Sequence, residues 1–132
     1  MFDNIYKNRR VLITGHTGFK GSWLCSWLLD IGATVAGYSI NIPTQPSHFE
    51  ALNLVNKIKH FEGDICDKDS LQQALDQFCP EIIFHFAGQS LVRESYEDPA
   101  LTFETNVMGT LNLLDCLRNS FPTIAAILIT SD

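Results

Sequence analysis

The sequence predicts a doubly wound, parallel α/β sheet that stops after a fifth strand, and three observations carry that expectation. Short apolar, β-branched runs alternate with stretches whose apolar residues recur at helical spacing, the pattern of strands joined by crossover helices. Three glycines, Gly15, Gly18 and Gly21, fall between the first such run and the first helical stretch, where the chain must turn sharply. The 132 residues, 45% of them hydrophobic, suit a single core, so one domain over 1–132 is expected.

Residues 9–14 (RRVLIT) make the first strand. Trp23, Leu24, Trp27, Leu28 and Ile31 recur at helical spacing and give a helix that stops at Gly32, with both tryptophans expected in the core. Residues 33–39 (ATVAGYS) make the second strand, 41–47 with two prolines a loop, and a short helical piece fits 48–54. The third strand is 57–63 (KIKHFEG), after which Asp67 is placed to cap a helix carrying Leu71, Ala74, Leu75 and Phe78 on one face and ended by Pro80. Residues 81–88 (EIIFHFAG) read as a buried fourth strand, 99–118 as a long helix with proline in its first turn, and 124–131 (IAAILITS) as the fifth strand. Such a sheet has strand order 3-2-1-4-5 and takes ligands at the carboxyl ends of its strands, near the switch in order.

Composition narrows the classes of partner. With a formal net charge of −6, and Lys and Arg scattered apart from KNRR at 7–10, no surface tracks a phosphate backbone, so nucleic acid is not expected. The longest apolar run, 124–129, falls far short of the ~20 residues of a membrane span, so no membrane partner is expected. Cys25, Cys66, Cys79 and Cys116 form no CxxC pair and follow no leader-like segment, which reads as reduced thiols in a soluble, cytoplasmic protein. His16, His48, His60 and His85 are not at metal-ligand spacing, and His85 inside an apolar strand reads as a satisfied core histidine, so no metal is assigned.

In this setting each glycine acquires its own role. One allows the tight turn, one lets backbone approach a pyrophosphate, and one lets the helix pack close to the sheet. The phosphates then lie on the helix N-terminus, where free N–H groups and the positive end of the dipole point. Glycines serving backbone geometry alone are the competing reading, which the placement between strand and helix disfavours. A P-loop needs Gly-Lys-Ser/Thr, whereas the order here is Lys20-Gly21-Ser22. Lys20 itself reads equally as a phosphate contact or a solvated side chain.

TGHTGFKG at 14–21 resembles the glycine turn of the extended short-chain dehydrogenases/reductases. GDICD (63–67), HFAGQS (85–90), ETNVMGTLNLLDC (104–116) and ITSD (129–132) match that family's later landmarks in order. Within the family, GHTGFKGSWL together with GYSINIPTQPSHFE is most similar to the CDP-glucose 4,6-dehydratase group. The resemblance implies a Rossmann-like domain in which Gly15, Gly18 and Gly21, with backbone groups of Phe19 and Lys20, hold a pyrophosphate. It implies Asp64 and Ile65 at adenine, Ser39 at the ribose, and Phe86, Ala87, Gly88, Gln89 and Thr105 toward the second ribose and nicotinamide. Ser90 matches a substrate contact, and Ser131 and Asp132 match the hydroxyl and acid of the dehydratase active site.

The implied reaction oxidises C4 of a nucleotide-bound hexose with NAD, eliminates water across C5 and C6, and returns hydride to C6, with Asp132 protonating the departing hydroxyl. Two departures stand out. AGYSIN (36–41) has neither the Asp or Glu that holds an NAD ribose nor an Arg for NADP, so Ser39 or Asn41 must substitute; NAD is expected, with NADP left open. None of Tyr6, Tyr38 and Tyr96 is followed four residues later by lysine, so the Tyr-x-x-x-Lys pair and substrate domain are expected to be absent and the chain inactive alone. The partners implied are a nucleotide-sugar substrate and a second copy joined through helix 99–118, where Phe103, Val107, Leu111 and Leu114 form a stripe that Leu113 and Leu117 widen. Two other readings remain: another extended-family enzyme such as a nucleotide-sugar epimerase, and a non-catalytic dinucleotide-binding module.

Overall fold

A computed structural model of the chain describes residues 2–130. Five parallel strands, β1 (Arg10–Thr14), β2 (Thr34–Ser39), β3 (Lys59–Glu62), β4 (Ile82–His85) and β5 (Ala125–Leu128), lie in the order β3-β2-β1-β4-β5, as expected. The register pairs Val11 with Val35 on one side and with Ile82 on the other, so β1 is central and the order reverses beside it. Alternation along β1 splits the core. Val11 and Ile13 face α1 (Phe19–Asp30) and α2 (His48–Ala51), burying Cys25, Leu28, Val35, Phe49 and Leu54; Leu12 faces α3 (Lys68–Phe78) and α6 (Gly109–Ser120), burying Leu71, Leu75, Ile83, Leu113 and Leu117.

The helix ends follow their residues. Gly32, at φ +86°, closes α1, with its N–H and that of Ala33 donating to the carbonyls of Leu29 and Leu28. The Asp67 carboxylate accepts from Ser70 N at 3.1 Å and caps α3, and Asp98 caps α5 (Pro99–Phe103) in the same way. The segment 89–98, to which the sequence assigned no element, holds a short helix, α4 (Val92–Glu97). The long helix expected over 99–118 runs from α5 into α6 through a π-turn at Glu104–Met108, a single-turn widening common at functional sites.

The two tryptophans correct an expectation. Trp23 is 54% and Trp27 47% exposed, while the face of α1 against the sheet consists of Gly21, Ser22, Cys25 and Leu28. The cause is close approach: a Cβ on Gly21 would stand 2.4 Å from the Gly15 carbonyl oxygen. Only small residues fit the contact face so near the turn, and the large rings are displaced outward. There Trp23 stacks on His48 with centroids 4.5 Å apart, and Phe19 meets both edge-on or tilted.

Candidate functional site

The carboxyl ends of β1, β2 and β4 converge on the glycine turn. Gly15 has φ +72°, and a Cβ there would lie 2.8 Å from Ala87 N, so the strand-to-helix turn and the end of β4 touch backbone to backbone. Its N–H donates to the Tyr38 carbonyl at 2.8 Å, tying the turn to β2 as well. Gly18 differs from its two neighbours in the motif. Its backbone, at φ −71° and ψ 167°, suits any residue, and a Cβ would meet only the Gly15 carbonyl oxygen at 3.4 Å. Among the described residues nothing demands glycine at this position, and a Cβ would otherwise stand in open space at the start of α1.

That first turn is prepared for an anion. Gly18 caps α1 without a side-chain acceptor, no acidic residue occupies the turn, and the first N–H groups of a helix have no partner within it. The arrangement can bind a pyrophosphate through backbone donors. The side chains of Phe19 and Lys20 are exposed on the outer surface of α1, so what these residues bring to the turn is backbone.

At the end of β2, Ser39 is buried, and its hydroxyl accepts weakly from Thr17 N at 3.5 Å, while the Thr17 hydroxyl donates to the Asn41 carbonyl at 2.5 Å. The loop after β2 is thereby fastened to the glycine turn, with a serine hydroxyl where many dinucleotide folds place a carboxylate. Beyond β3, the Asp64 carboxylate accepts from Cys66 N at 2.8 Å and its carbonyl accepts from the Tyr38 hydroxyl at 2.9 Å. Ile65 does not open its side chain to the crevice: it is 5% exposed and fills the space over Gly109, where a Cβ would come within 2.6 Å of it. Only its backbone is left to meet a ligand.

The wall after β4 is held by α5 and the π-turn. Asn106 clamps the Gln89 backbone from both sides, accepting from Gln89 N at 2.7 Å and donating to its carbonyl at 3.0 Å. The Gln89 amide is used internally, donating to Thr102 and the Leu91 carbonyl and accepting from Leu91 N, so it shapes the 89–91 loop. Phe86 is partly buried against the α1 side of the core, Ala87 is half-buried, Gly88 and Ser90 are exposed on the loop, and Thr105 lies in the π-turn. The two catalytic candidates, Ser131 and Asp132, lie outside the described residues.

Sequence reasoning missed the histidine beside the turn. His16 is fully buried over Gly37, where a Cβ would clash with its ring at 2.1 Å, and its Nε2 shares a proton with His60 Nδ1 at 2.7 Å. Burial and the neighbouring His60 hold its pKa down to about 3. Glycine in mid-strand at Gly37 was the one available signal that a large group approaches there. His85, as expected, is a satisfied core histidine: it bonds Thr14 at 2.7 Å and Thr110 at 3.0 Å, and burial lowers its pKa to about 4. Among the described residues no cluster of His, Cys, Asp and Glu could hold a metal, and no helix is long and apolar enough to cross a membrane. The four cysteines are unbridged, and burial raises the Cys25 thiol to about 12.

A family model described as GDP-mannose 4,6 dehydratase matches residues 12–131. A CDP-glucose 4,6-dehydratase of Salmonella typhimurium is 48% identical over 129 residues, covering 98% of this chain and 36% of that protein. The chain thus spans about a third of the length of the curated relatives it matches. Among solved structures, the UDP-glucose 4-epimerase of Thermus thermophilus in complex with NAD is similar with TM-score 0.75 and 37% identity, over 83% of this chain and 34% of that one. The Brucella ovis UDP-glucose 4-epimerase in complex with NAD gives 0.78 and 35%, over 91% and 35%.

Proposed function

The chain belongs to the GDP-mannose 4,6 dehydratase family, and on that premise we propose that it is the NAD-binding part of a nucleotide-sugar 4,6-dehydratase acting on CDP-glucose. One observation carries the cofactor reading. Of the three glycines, Gly15 and Gly21 are required by contacts inside the chain and Gly18 is not, so its missing Cβ leaves room for a group from outside. That group sits on the uncapped N-terminus of a 12-residue helix, which selects an anion such as a pyrophosphate. The backbone N–H groups at the start of α1 would hold the phosphates, the Asp64–Ile65 backbone the adenine end, Ser39 the first ribose, and the Phe86–Gln89 wall with Thr105 the nicotinamide end.

When bound, NAD supplies a reversible hydride acceptor for the hexose. The chain's own residues orient it: the Gly15–Ala87 contact sets the width of the crevice floor, and Asn106 fixes the wall above it. Ser90, exposed beside that wall, is the residue we place against the sugar nucleotide, and we give the elimination to Ser131 and Asp132. The 48% identity to a CDP-glucose 4,6-dehydratase favours dehydration over epimerisation, although epimerases share this domain. Homodimerisation through 99–118 is supported by the outward face of that helix, where Phe103, Val107, Leu111 and Leu114 are all exposed; Leu113 and Leu117, expected to widen that stripe, instead fill the core, because they lie on the side of the helix packed against the sheet.

Calorimetric titration of NAD into the chain tests the site. Binding is expected, together with its loss in Gly18→Val, whose branched side chain occupies the open space. Equal affinity in the two proteins would remove the site from the glycine turn.

A further inference from the structure

We infer that His85 is a positioning residue, locked in one tautomer, that ties the glycine turn to the π-turn and thereby sets the Ala87–Gln89 wall. The inference rests on the crevice reading above for its functional meaning and on the hydrogen-bond directions alone for its content. The direction is fixed from one end. The Thr110 hydroxyl has a single proton and donates it to the Asn106 carbonyl at 2.7 Å. It therefore accepts from His85 Nε2 at 3.0 Å, which places the ring proton on Nε2. In a neutral imidazole Nδ1 is then a bare lone pair, and the Thr14 hydroxyl must donate to it at 2.7 Å. With its proton so engaged, Thr14 Oγ1 accepts from Ala87 N at 3.1 Å.

Every link in this chain has one polarity, and its members sit on the elements that form the crevice. Thr14 immediately precedes Gly15, Ala87 is the residue whose N would meet a Cβ on Gly15, and Asn106 belongs to the π-turn and grips Gln89 through its side chain. His85 and Thr14 are buried, so water offers no substitute partner for either ring nitrogen. A ring protonated on Nδ1 would turn a donor toward Thr14 Oγ1, which would then accept from both the ring and Ala87 N–H and leave its own buried proton without the imidazole acceptor, loosening the link to Ala87. The neutral form is held by burial alone, with no charged neighbour contributing.

Histidine tautomers are read directly from the nitrogen–proton correlation spectrum of ¹⁵N-labelled chain, without cofactor. His85 is expected as a single Nε2–H form from pH 8 to 5. Thr110→Val keeps the shape of the side chain but removes the acceptor of that proton; it should mix the tautomers and speed amide exchange at Ala87 roughly fivefold, the loss of one net hydrogen bond. Thr110→Ser restores the hydroxyl and should restore both readouts. An Nδ1–H or averaged His85 in the unsubstituted chain, or an unchanged tautomer and Ala87 exchange in Thr110→Val, would overturn the assignment. Failure of the unsubstituted chain to bind NAD overturns the crevice reading instead, because neither readout requires the cofactor.

Discussion

Replacing Gly18 and Gly21 singly by alanine should separate binding from folding, because the same methyl group meets different surroundings at the two ends of one short turn. At Gly18 the new Cβ touches only the Gly15 carbonyl oxygen at 3.4 Å in a backbone conformation open to any residue. Restricting the unfolded chain stabilises by about 0.4–1 kcal/mol, and alanine is a poorer helix cap than glycine by a similar amount. The two effects offset, and the net change is expected to stay within about 0.5 kcal/mol. At Gly21 the Cβ would stand 2.4 Å from the Gly15 carbonyl oxygen and 2.8 Å from His16 Cα, both backbone atoms that cannot rotate away. Moving α1 outward costs about 3 kcal/mol, the upper part of the overpacking range. A helix-propensity gain of up to about 1 kcal/mol recovers part of it, leaving roughly 2 kcal/mol lost. Urea unfolding measures the first quantity and calorimetric NAD titration the second. Gly18→Ala should unfold at the parent's urea concentration while binding NAD at least about tenfold more weakly, a change of about 1.4 kcal/mol. Parental affinity in Gly18→Ala, or parental stability in Gly21→Ala, would refute the division of labour among the glycines.

Stability should fall with acid before the carboxylates titrate: His16 and His85 are neutral in the fold, with pKa values near 3 and 4, but accept protons near 6.5 when unfolded. The unfolded state thus binds more protons below pH 6.5, stabilisation is complete above that value, and each group removes up to about 1.4 kcal/mol per pH unit on descent; a urea midpoint unchanged between pH 6.5 and 5 would contradict this. Trp23→Ala and Trp27→Ala should each change stability by less than about 1 kcal/mol, whereas Leu28→Ala, which empties a buried site on the same helix, should cost about 2–5 kcal/mol. Equal losses in chemical denaturation would mean that the tryptophans are covered in solution. The exposed stripe on 99–118 should associate, so sedimentation of the chain at high micromolar concentration is expected to show a dimer that Val107→Glu with Leu111→Glu converts to monomer without lowering the melting temperature appreciably. A monomer before substitution would exclude that face as the contact.

Much of the fold was legible because its signals are local. A β-branched run reports a strand buried on both faces, Asp67 and Gly32 report helix ends through their own hydrogen bonds and dihedrals, and the alternation of the two patterns implies parallel strands in the observed order. Less could be read where two segments distant in sequence meet. Apolar periodicity pointed Trp23 and Trp27 inward, yet the sheet-facing side of α1 is defined by how close the helix comes, and that distance favours Gly21, Ser22 and Cys25 over larger and more apolar residues. The helix at Val92–Glu97 is polar and short, with no buried face to leave a period.

The candidate site divides along the same line. The sequence by itself determined the strand-turn-helix, the glycine spacing and the absence of a carboxylate after β2, since each is a property of contiguous residues. Only the tertiary structure decided that Gly18, alone of the three glycines in the turn, is free of close internal contacts, that the Ile65 side chain belongs to the core, that His16 meets His60 over Gly37, and that His85 joins Thr14 to Thr110. The histidine pairings among those outcomes join residues 25 to 71 positions apart, brought together by parallel pairing and helix packing, and the side chains involved carry no periodicity that would announce their partners.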